Sequence, residues 1–394
     1  MSDGIVIVGG GLAAQRCGET LRSQGHEGPI RLVCAERHPP YDRPPLSKEL
    51  LTGALPPGAV ALRPHAWYDE RSVDLLLGTR AVGVDTVRRR VELDRGGPLQ
   101  YDALLVATGS RARRLPLLEG YENVSVLRTL DDALALREVL APGVRLAVVG
   151  AGFIGLEAAS SALERGADVT IVEALDAPLA GVLGGELGRW FSDLHQAEGA
   201  TVVLGARIER VDGGRRVRAL ELAGGRSVGC DHVLVGVGVD PDTSWLPAAL
   251  ADGGVPVDPN GRTAADGIFA AGDVALVYDP GAARHLRTDH WEAAARQGAA
   301  AARAMLGLEP IRAPLPSFWS DQHGIRIQYV GRAGEADRVE IDGDPAARDF
   351  EALFTRGGVP VAALLVGRPR SLADARRRVQ AGLDSLIPEE EKQR

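Results

Sequence analysis

Apolar residues recur along this chain in short runs that stop at glycine turns, and twice such a run is followed by a helical stretch and a second run. Gly4-Ile-Val-Ile-Val8 has the unbroken apolar character of a buried strand, the turn Gly9-Gly10-Gly11 follows, and Leu12 to about Ser23 carries helical spacing. A second strand, Ile30-Arg-Leu-Val-Cys-Ala35, ends at Glu36. The arrangement returns with the strand Arg145-Leu-Ala-Val-Val149, a glycine turn, a helix to about Arg165, and the strand Val169-Thr-Ile-Val172 ending at Glu173. Tyr101 to Gly109 and Asp231 to Gly238 are further strands that end in small-residue turns. After Pro314 the pattern alternates: strands are expected over Ile325 to Val330, Asp349 to Thr355 and Val359 to Val366, then a helix from Leu372 to Leu383 and a frayed tail after Pro388. The pattern predicts an α/β protein with two βαβ nucleotide-binding domains, one nested in the other, and a smaller α+β domain at the C-terminal end.

The turns carry specific chemistry. Gly9, Gly11 and Ala14 form G-x-G-x-x-A, and Gly150, Gly152 and Gly155 form G-x-G-x-x-G. Such spacing supplies a tight turn, lets backbone N–H groups approach a pyrophosphate, and packs the helix close to its sheet. Each copy follows a strand, opens a helix, and is answered by a carboxylate at the end of the next strand, Glu36 or Glu173, placed to accept from ribose hydroxyls. One copy alone is weak evidence; two in full context predict two dinucleotide sites. Later, Thr288 to Gln297 reads as a helix start, with Asp289 as N-cap and Glu292 as its capping-box partner.

Composition narrows the class. With 394 residues, two or three domains are expected. The formal net charge is −8 and both signs are interspersed, which excludes a dedicated nucleic-acid binder. No apolar run approaches the length that spans a bilayer, so no membrane association is expected. Cys17, Cys34 and Cys230 form neither a disulfide framework nor a metal-ligand spacing, and the chain reads as a soluble protein of a reducing cytoplasm, with no metal. Arginine is abundant, yet Lys48 and Lys392 are the only lysines. Lys48 lies in the body of the chain, where a compact, tunable ammonium stands in place of the guanidinium used elsewhere.

With these motifs in hand, the chain resembles the FAD-dependent pyridine nucleotide–disulfide reductase superfamily over nearly its whole length, and within it the ferredoxin reductases that serve Rieske-type oxygenases and cytochromes P450. The resemblance rests on the first glycine motif with Glu36, Pro40-Tyr-Asp-Arg-Pro-Pro-Leu-Ser-Lys48, Ala107-Thr-Gly109, Leu127-Arg-Thr-Leu-Asp-Asp-Ala133, Gly150 to Glu157, the segment ending at Gly272-Asp273, and Phe318-Trp-Ser-Asp-Gln322. It implies two Rossmann-like domains, with the NAD domain inserted in the FAD domain. The expected boundaries are 1–112 and 243–315 for FAD, 113–242 for NADH, and 316–394 for the C-terminal domain.

The resemblance also implies roles. FAD is expected on Gly9, Gly11, Leu12, Ala13, Ala14 and Glu36, with Arg43 and Arg128 near the flavin and its diphosphate. Val82 is expected to offer backbone contacts to the adenine, Thr108 and Gly109 to lie along the cofactor, and Asp273 to bind a hydroxyl on its ribityl or phosphate side. Trp291 is expected against the isoalloxazine, and the helix it opens is expected to aim its positive end at the flavin. NADH is expected on Gly150, Gly152, Phe153, Ile154, Gly155, Glu173 and Gly238; Glu173 repels a 2′-phosphate, and Ala174 to Asp176 offer it no basic partner. Glu157 is implied to reach the nicotinamide and to meet Lys48 near flavin N5; an exposed helix residue is the plainer alternative. The stretch from Pro39 to Leu51 lacks the redox cysteines of the disulfide reductases, so electrons are expected to leave through the flavin edge to a [2Fe-2S] ferredoxin, with Trp319 near the exit and Arg63, Arg296, Arg312 and Arg326 as docking candidates. Two departures from close family members, Ser317-Phe-Trp319 for Trp-Phe-Trp and Gly367-Arg-Pro369 for Asn-Arg-Pro, bear on partner identity. A monomer is the default expectation. Rubredoxin reductase, NADH oxidase or quinone reductase, and a redox sensor resembling apoptosis-inducing factor remain alternatives.

Overall fold

The strand Ile5–Val8 is buried along its whole length, which is why it reads as an unbroken apolar run rather than an alternating one. The computed structural model describes residues 3–280, 282–311 and 315–386. Its internal packing divides the chain into two units, one of Met1–Asp42, Val60–Arg111 and Asp240–Pro316, the other of Arg43–Ala59, Ala112–Val239 and Ser317–Arg394.

In the first unit, five parallel strands stand in the order Ile268–Ala270, Ala103–Val106, Ile5–Val8, Ile30–Cys34, Val73–Leu77. Ile5 and Ile7 face one core with Leu32, Leu105 and the helix residues Ala14, Cys17 and Leu21. Val6 and Val8 face another with Val33, Leu104 and Tyr101. The helices Leu12–Ser23 and Trp291–Met305 lie close together because small residues line the contact: a Cβ on Gly298 would fall 2.1 Å from the Ala13 carbonyl oxygen. The second helix starts later than the capping-box expectation. His290 occupies the cap position and Trp291 is the first helical residue, while the Asp289 carboxylate is drawn to Arg287 at 2.8 Å.

The second unit repeats the scheme, with parallel strands in the order Thr201–Val203, Asp168–Val172, Arg145–Val149, His232–Val235, Val124–Val126. The helix Phe153–Glu164 follows its glycine turn. The helix Ala180–Ala197 was not foreseen; glycines at 181, 184, 185 and 188 dilute its helical signal, and it bends at Gly184, where φ is 80°. An antiparallel sheet ordered Ser317–Gln322, Ile325–Gly331, Val359–Val366, Asp349–Arg356, Arg338–Asp344 belongs to the same unit. The three strands and final helix expected in this region are present, the helix running Leu372–Leu386. The strand Ser317–Gln322 packs against the helix Phe153–Glu164. No helix among the described residues is long and apolar enough to cross a membrane.

Candidate functional site

The first glycine turn is built for close approach. Gly9 has φ 135°, and a Cβ there would sit 2.0 Å from the Ala107 carbonyl oxygen, so only glycine fits. Gly11 is the N-cap of the helix Leu12–Ser23, and a Cβ on it would meet no protein atom within 4 Å. The first intrahelical donor is Gln15 N, to Gly11 O at 3.1 Å. The amides of Leu12, Ala13 and Ala14 therefore lie in the first turn, where a helix offers its donors and positive end to an anion. These residues fit a pyrophosphate. Glu36, at the end of the next strand, accepts from the Tyr41 hydroxyl at 2.6 Å. In the same unit Asp273 accepts from Ser110 Oγ at 2.8 Å, Thr108 Oγ1 donates to Asp242 O at 2.7 Å, and Gly109 takes φ 69°. The Trp291 indole donates to Asp42 at 2.6 Å, and Val82 stands 52% exposed on the strand Ala81–Asp85.

The second turn uses the same physics with tighter packing. Gly150 has φ 100° and would place a Cβ 2.5 Å from the Gly236 carbonyl oxygen; Gly155 would place one 2.3 Å from Gly150 O. Gly152 is the N-cap, so the amides of Phe153, Ile154 and Gly155 open this helix, which fits a second pyrophosphate. Phe153 lies edge-on to Phe318, with ring centroids 4.7 Å apart, while Ile154 is 48% exposed. Glu173 braces the turn: one carboxylate oxygen accepts from Ala151 N at 2.6 Å and the other from Leu175 N at 2.9 Å. Gly238, with φ 100°, accepts from Arg113 N at 3.0 Å.

Between the helix Phe153–Glu164 and the segment carrying Lys48 lies a buried polar cluster within the second unit. Lys48 is 9% exposed and Glu157 3%, so the exposed-helix alternative for Glu157 is ruled out. Lys48 Nζ stands 3.1 Å from Glu157 Oε1. Ser320 Oγ donates to the same oxygen at 2.6 Å, and Ser47 Oγ donates to Oε2 at 2.5 Å. Burial pushes the Glu157 carboxyl above its ordinary range, and the Lys48 ammonium and the two serine hydroxyls pull against that rise. Local structure supplies the geometry. Pro44–Ser47 is a 3-10 turn, Lys48 sits at the junction to the helix Glu49–Thr52, and Ser161, one turn after Glu157, donates to the Ser47 carbonyl at 2.7 Å. Ser47 and Ser320 stand inside the Pro40–Lys48 and Phe318–Gln322 segments, where their residue type alone carries no sign of a site role. Nothing local ties either to Glu157.

Other expected residues find separate partners. Arg43 donates to the Arg128 carbonyl at 2.5 Å, which brings those two segments together. The Trp319 ring has the Arg326 guanidinium 5.9 Å from its centroid, and Arg326 pairs with Asp321 at 2.7 Å. Arg63 binds Glu19 at 2.6 Å. Arg296 lies on the helix Trp291–Met305, and Arg312 and Lys392 lie outside the described residues. All three cysteines are free and buried. Burial pushes the Cys17 thiol far up, Cys34 up to about 12 and Cys230 up to about 11, so none is available as a thiolate.

A model of the family described as "Pyridine nucleotide-disulphide oxidoreductase" matches residues 3–298, and one described as "Reductase C-terminal" matches residues 317–389. The chain belongs to the pyridine nucleotide-disulphide oxidoreductase family. It is 39% identical to the anthranilate 1,2-dioxygenase system ferredoxin–NAD(+) reductase component of Burkholderia cepacia, over 97% of this chain and 95% of that one. It is 40% identical to the biphenyl dioxygenase system ferredoxin–NAD(+) reductase component of Paraburkholderia xenovorans, over 87% of this chain and 85% of that one. Among solved structures it is similar to the covalent putidaredoxin reductase–putidaredoxin complex, with a TM-score of 0.93, 30% identity, and 98% and 96% of the two chains covered. This oxidoreductase takes FAD and NAD(H) as its cofactors, and each glycine turn has the open N-terminal geometry that fits a pyrophosphate.

Proposed function

We propose that the chain is an NADH:ferredoxin oxidoreductase that passes single electrons to a [2Fe-2S] ferredoxin feeding an oxygenase or a cytochrome P450, as a cytoplasmic monomer. The observation that carries this reading is the pairing of two dinucleotide-type turns in one chain with three thiols that are all free, buried and raised by that burial. Electrons collected from a pyridine nucleotide have no internal thiol to receive them, so the acceptor is external. The relatives' names support a ferredoxin in that place.

FAD, when bound, supplies the step from a two-electron hydride donor to one-electron release. The chain's own residues position and tune. Leu12, Ala13 and Ala14 present amides to the FAD pyrophosphate, Glu36 holds the adenosine ribose, and Val82 lies along the adenine. Thr108, Gly109, Asp273 and Trp291 line the same cofactor, with Arg43 and Arg128 toward its diphosphate. Gly150, Gly152, Phe153, Ile154, Gly155 and Gly238 take NADH. Glu173 faces its ribose hydroxyls and disfavours a 2′-phosphate. Lys48, placed 3.1 Å from Glu157, presents an ammonium where negative charge accumulates, an electrostatic contribution that needs no proton transfer. Trp319, with Arg326 beside it, marks the exit toward the ferredoxin.

The test is anaerobic stopped-flow of FAD-loaded protein with NADH and then NADPH, followed by addition of a low-potential [2Fe-2S] ferredoxin. Rapid bleaching by NADH and reoxidation by ferredoxin is the expected result. Reoxidation only by air, quinone or rubredoxin favours an oxidase, quinone reductase or rubredoxin reductase, and persistent bleaching with every acceptor favours a sensor.

A further inference from the structure

The hydrogen bonds continue beyond the Lys48–Glu157 pair. Glu157 Oε1 takes the Ser320 hydroxyl at 2.6 Å, Ser320 Oγ lies 2.9 Å from Gln322 Nε2, Gln322 Oε1 lies 3.0 Å from His195 Nε2, and His195 Nδ1 lies 3.0 Å from His323 Nε2. Ser320 and His195 are 0% exposed and Gln322 is 1% exposed, whereas His323 is half-buried. A chain of four side chains thus runs from the edge of the unit to one buried carboxylate.

The carboxylate sets the direction of every bond. An ionised Glu157 can only accept, so the single Ser320 proton points at it. Ser320 oxygen then accepts from Gln322, which turns the amide so that Nε2 faces Ser320 and Oε1 faces His195. His195 must carry its proton on Nε2, and its Nδ1 accepts from His323 Nε2–H. A doubly protonated His195 would offer His323 no acceptor, and burial holds this ring down at about 4, so it is neutral near pH 7. The backbone enforces the array. Ser320 and Gln322 share one face of their strand by alternation, and the His323 amide donates to Ser160 Oγ at 2.8 Å, three residues along the helix from Glu157.

We propose that His323, His195, Gln322 and Ser320 form a one-way donor relay that keeps Glu157 ionised and fixed beside Lys48. This positioning role rests on the reading of Lys48 and Glu157 as part of the reduction site. Donors aligned head to tail polarise one another, which strengthens the last bond, the one made to the carboxylate. The charged groups facing the array are Lys48 at the carboxylate, Asp321 toward Lys48, and Glu198 and Arg348 at the histidine end.

The experiment uses FAD-loaded protein carrying 13C at its glutamate carboxyl carbons, titrated by NMR without NADH. The Glu157 resonance is the one missing from Glu157→Gln. Ser320→Ala is expected to raise the Glu157 midpoint by about one pH unit, the scale of a lost bond to a charged group. Gln322→Met is expected to raise it by a fraction of that, since it removes only the polarising bond behind Ser320. Ser320→Thr, which keeps the hydroxyl, is expected to leave it in place. In the wild-type protein, imidazole 15N shifts are expected to show the His195 proton on Nε2, a readout that needs no variant. A Glu157 midpoint unmoved in both disrupting variants, or a His195 proton on Nδ1, overturns the relay. Stopped-flow reduction of Glu157→Gln by NADH separates the two readings: a wild-type rate there, with the midpoint shifts as expected, removes the catalytic reading of the pair and leaves the relay standing.

Discussion

Lys48 Nζ and Glu157 Oε1 approach to 3.1 Å at a depth where Glu157 carries two further donors, from Ser47 and Ser320, so the carboxylate is the hub of the cluster and the ammonium its countercharge there. Removing the cation should be worse than removing the charge pair. Lys48→Met leaves a buried carboxylate without its counterion and is expected to cost about 3 kcal/mol or more. Adding Glu157→Gln should recover most of that loss, since a neutral amide can accept from one serine hydroxyl and donate to the oxygen of the other. Urea denaturation of the FAD-loaded single and double variants checks this; a Lys48→Met midpoint equal to wild type would sink it.

Stability should fall in mild acid. Burial holds His195 and His232 at about 4, below the value near 6.5 of an unfolded imidazole. The unfolded chain therefore binds more protons, so the stabilisation is complete above about pH 6.5 and is lost as pH falls toward 4. At pH 5 the loss is on the order of 2 kcal/mol per ring. Glu157, raised by burial, works in the opposite sense over its own range. Denaturation midpoints at pH 7.5 and 5 should differ accordingly, and His232→Gln, at a ring bonded to Ser125 Oγ 2.8 Å away, should shrink the difference. A midpoint flat between those pH values contradicts the assignment.

Glu173 holds the Ala151 amide at 2.6 Å and is also read as the ribose carboxylate. Its two roles give different kinetics. If it reads the ribose, Glu173→Ala lowers kcat/KM for NADH by about tenfold or more, mainly through KM, and narrows the gap to NADPH. An equal fall for both nucleotides would leave it only the bracing role.

The two glycine turns should fail separately. Gly9→Ala forces a Cβ to 2.0 Å from Ala107 O, and Gly155→Ala one to 2.3 Å from Gly150 O. The first is expected to purify with little FAD. The second is expected to retain the flavin and its spectrum while NADH-dependent bleaching slows. Flavin content and stopped-flow rates distinguish the two, and equal FAD loss in both variants would contradict separate sites.

The glycine turns, their strands and the C-terminal hairpins were legible because local spacing dictates them: Ile5–Val8 and Arg145–Val149 appear where apolar runs place them. Lys48 was legible through lysine scarcity, and its meeting with Glu157 through family resemblance. What stayed hidden depends on distant chain. Ser47 and Ser320 meet Glu157, and Gln322 and His195 extend the array behind Ser320, from three parts of the chain with no local signal in common. The cap of the helix Trp291–Met305 was misread because Asp289 satisfies a capping rule on paper, while Arg287 claims its carboxylate.

The strand Ser317–Gln322 sorts its duties by parity. Phe318, Ser320 and Gln322 turn toward the helix Phe153–Glu164 and the buried histidine, whereas Trp319 and Asp321 share the other face with Arg326. Changes at Trp319 and Asp321 therefore leave the packing and the hydrogen bonds of the other face untouched, while Ser320 and Gln322 stay under the constraint of the buried carboxylate at the end of their array.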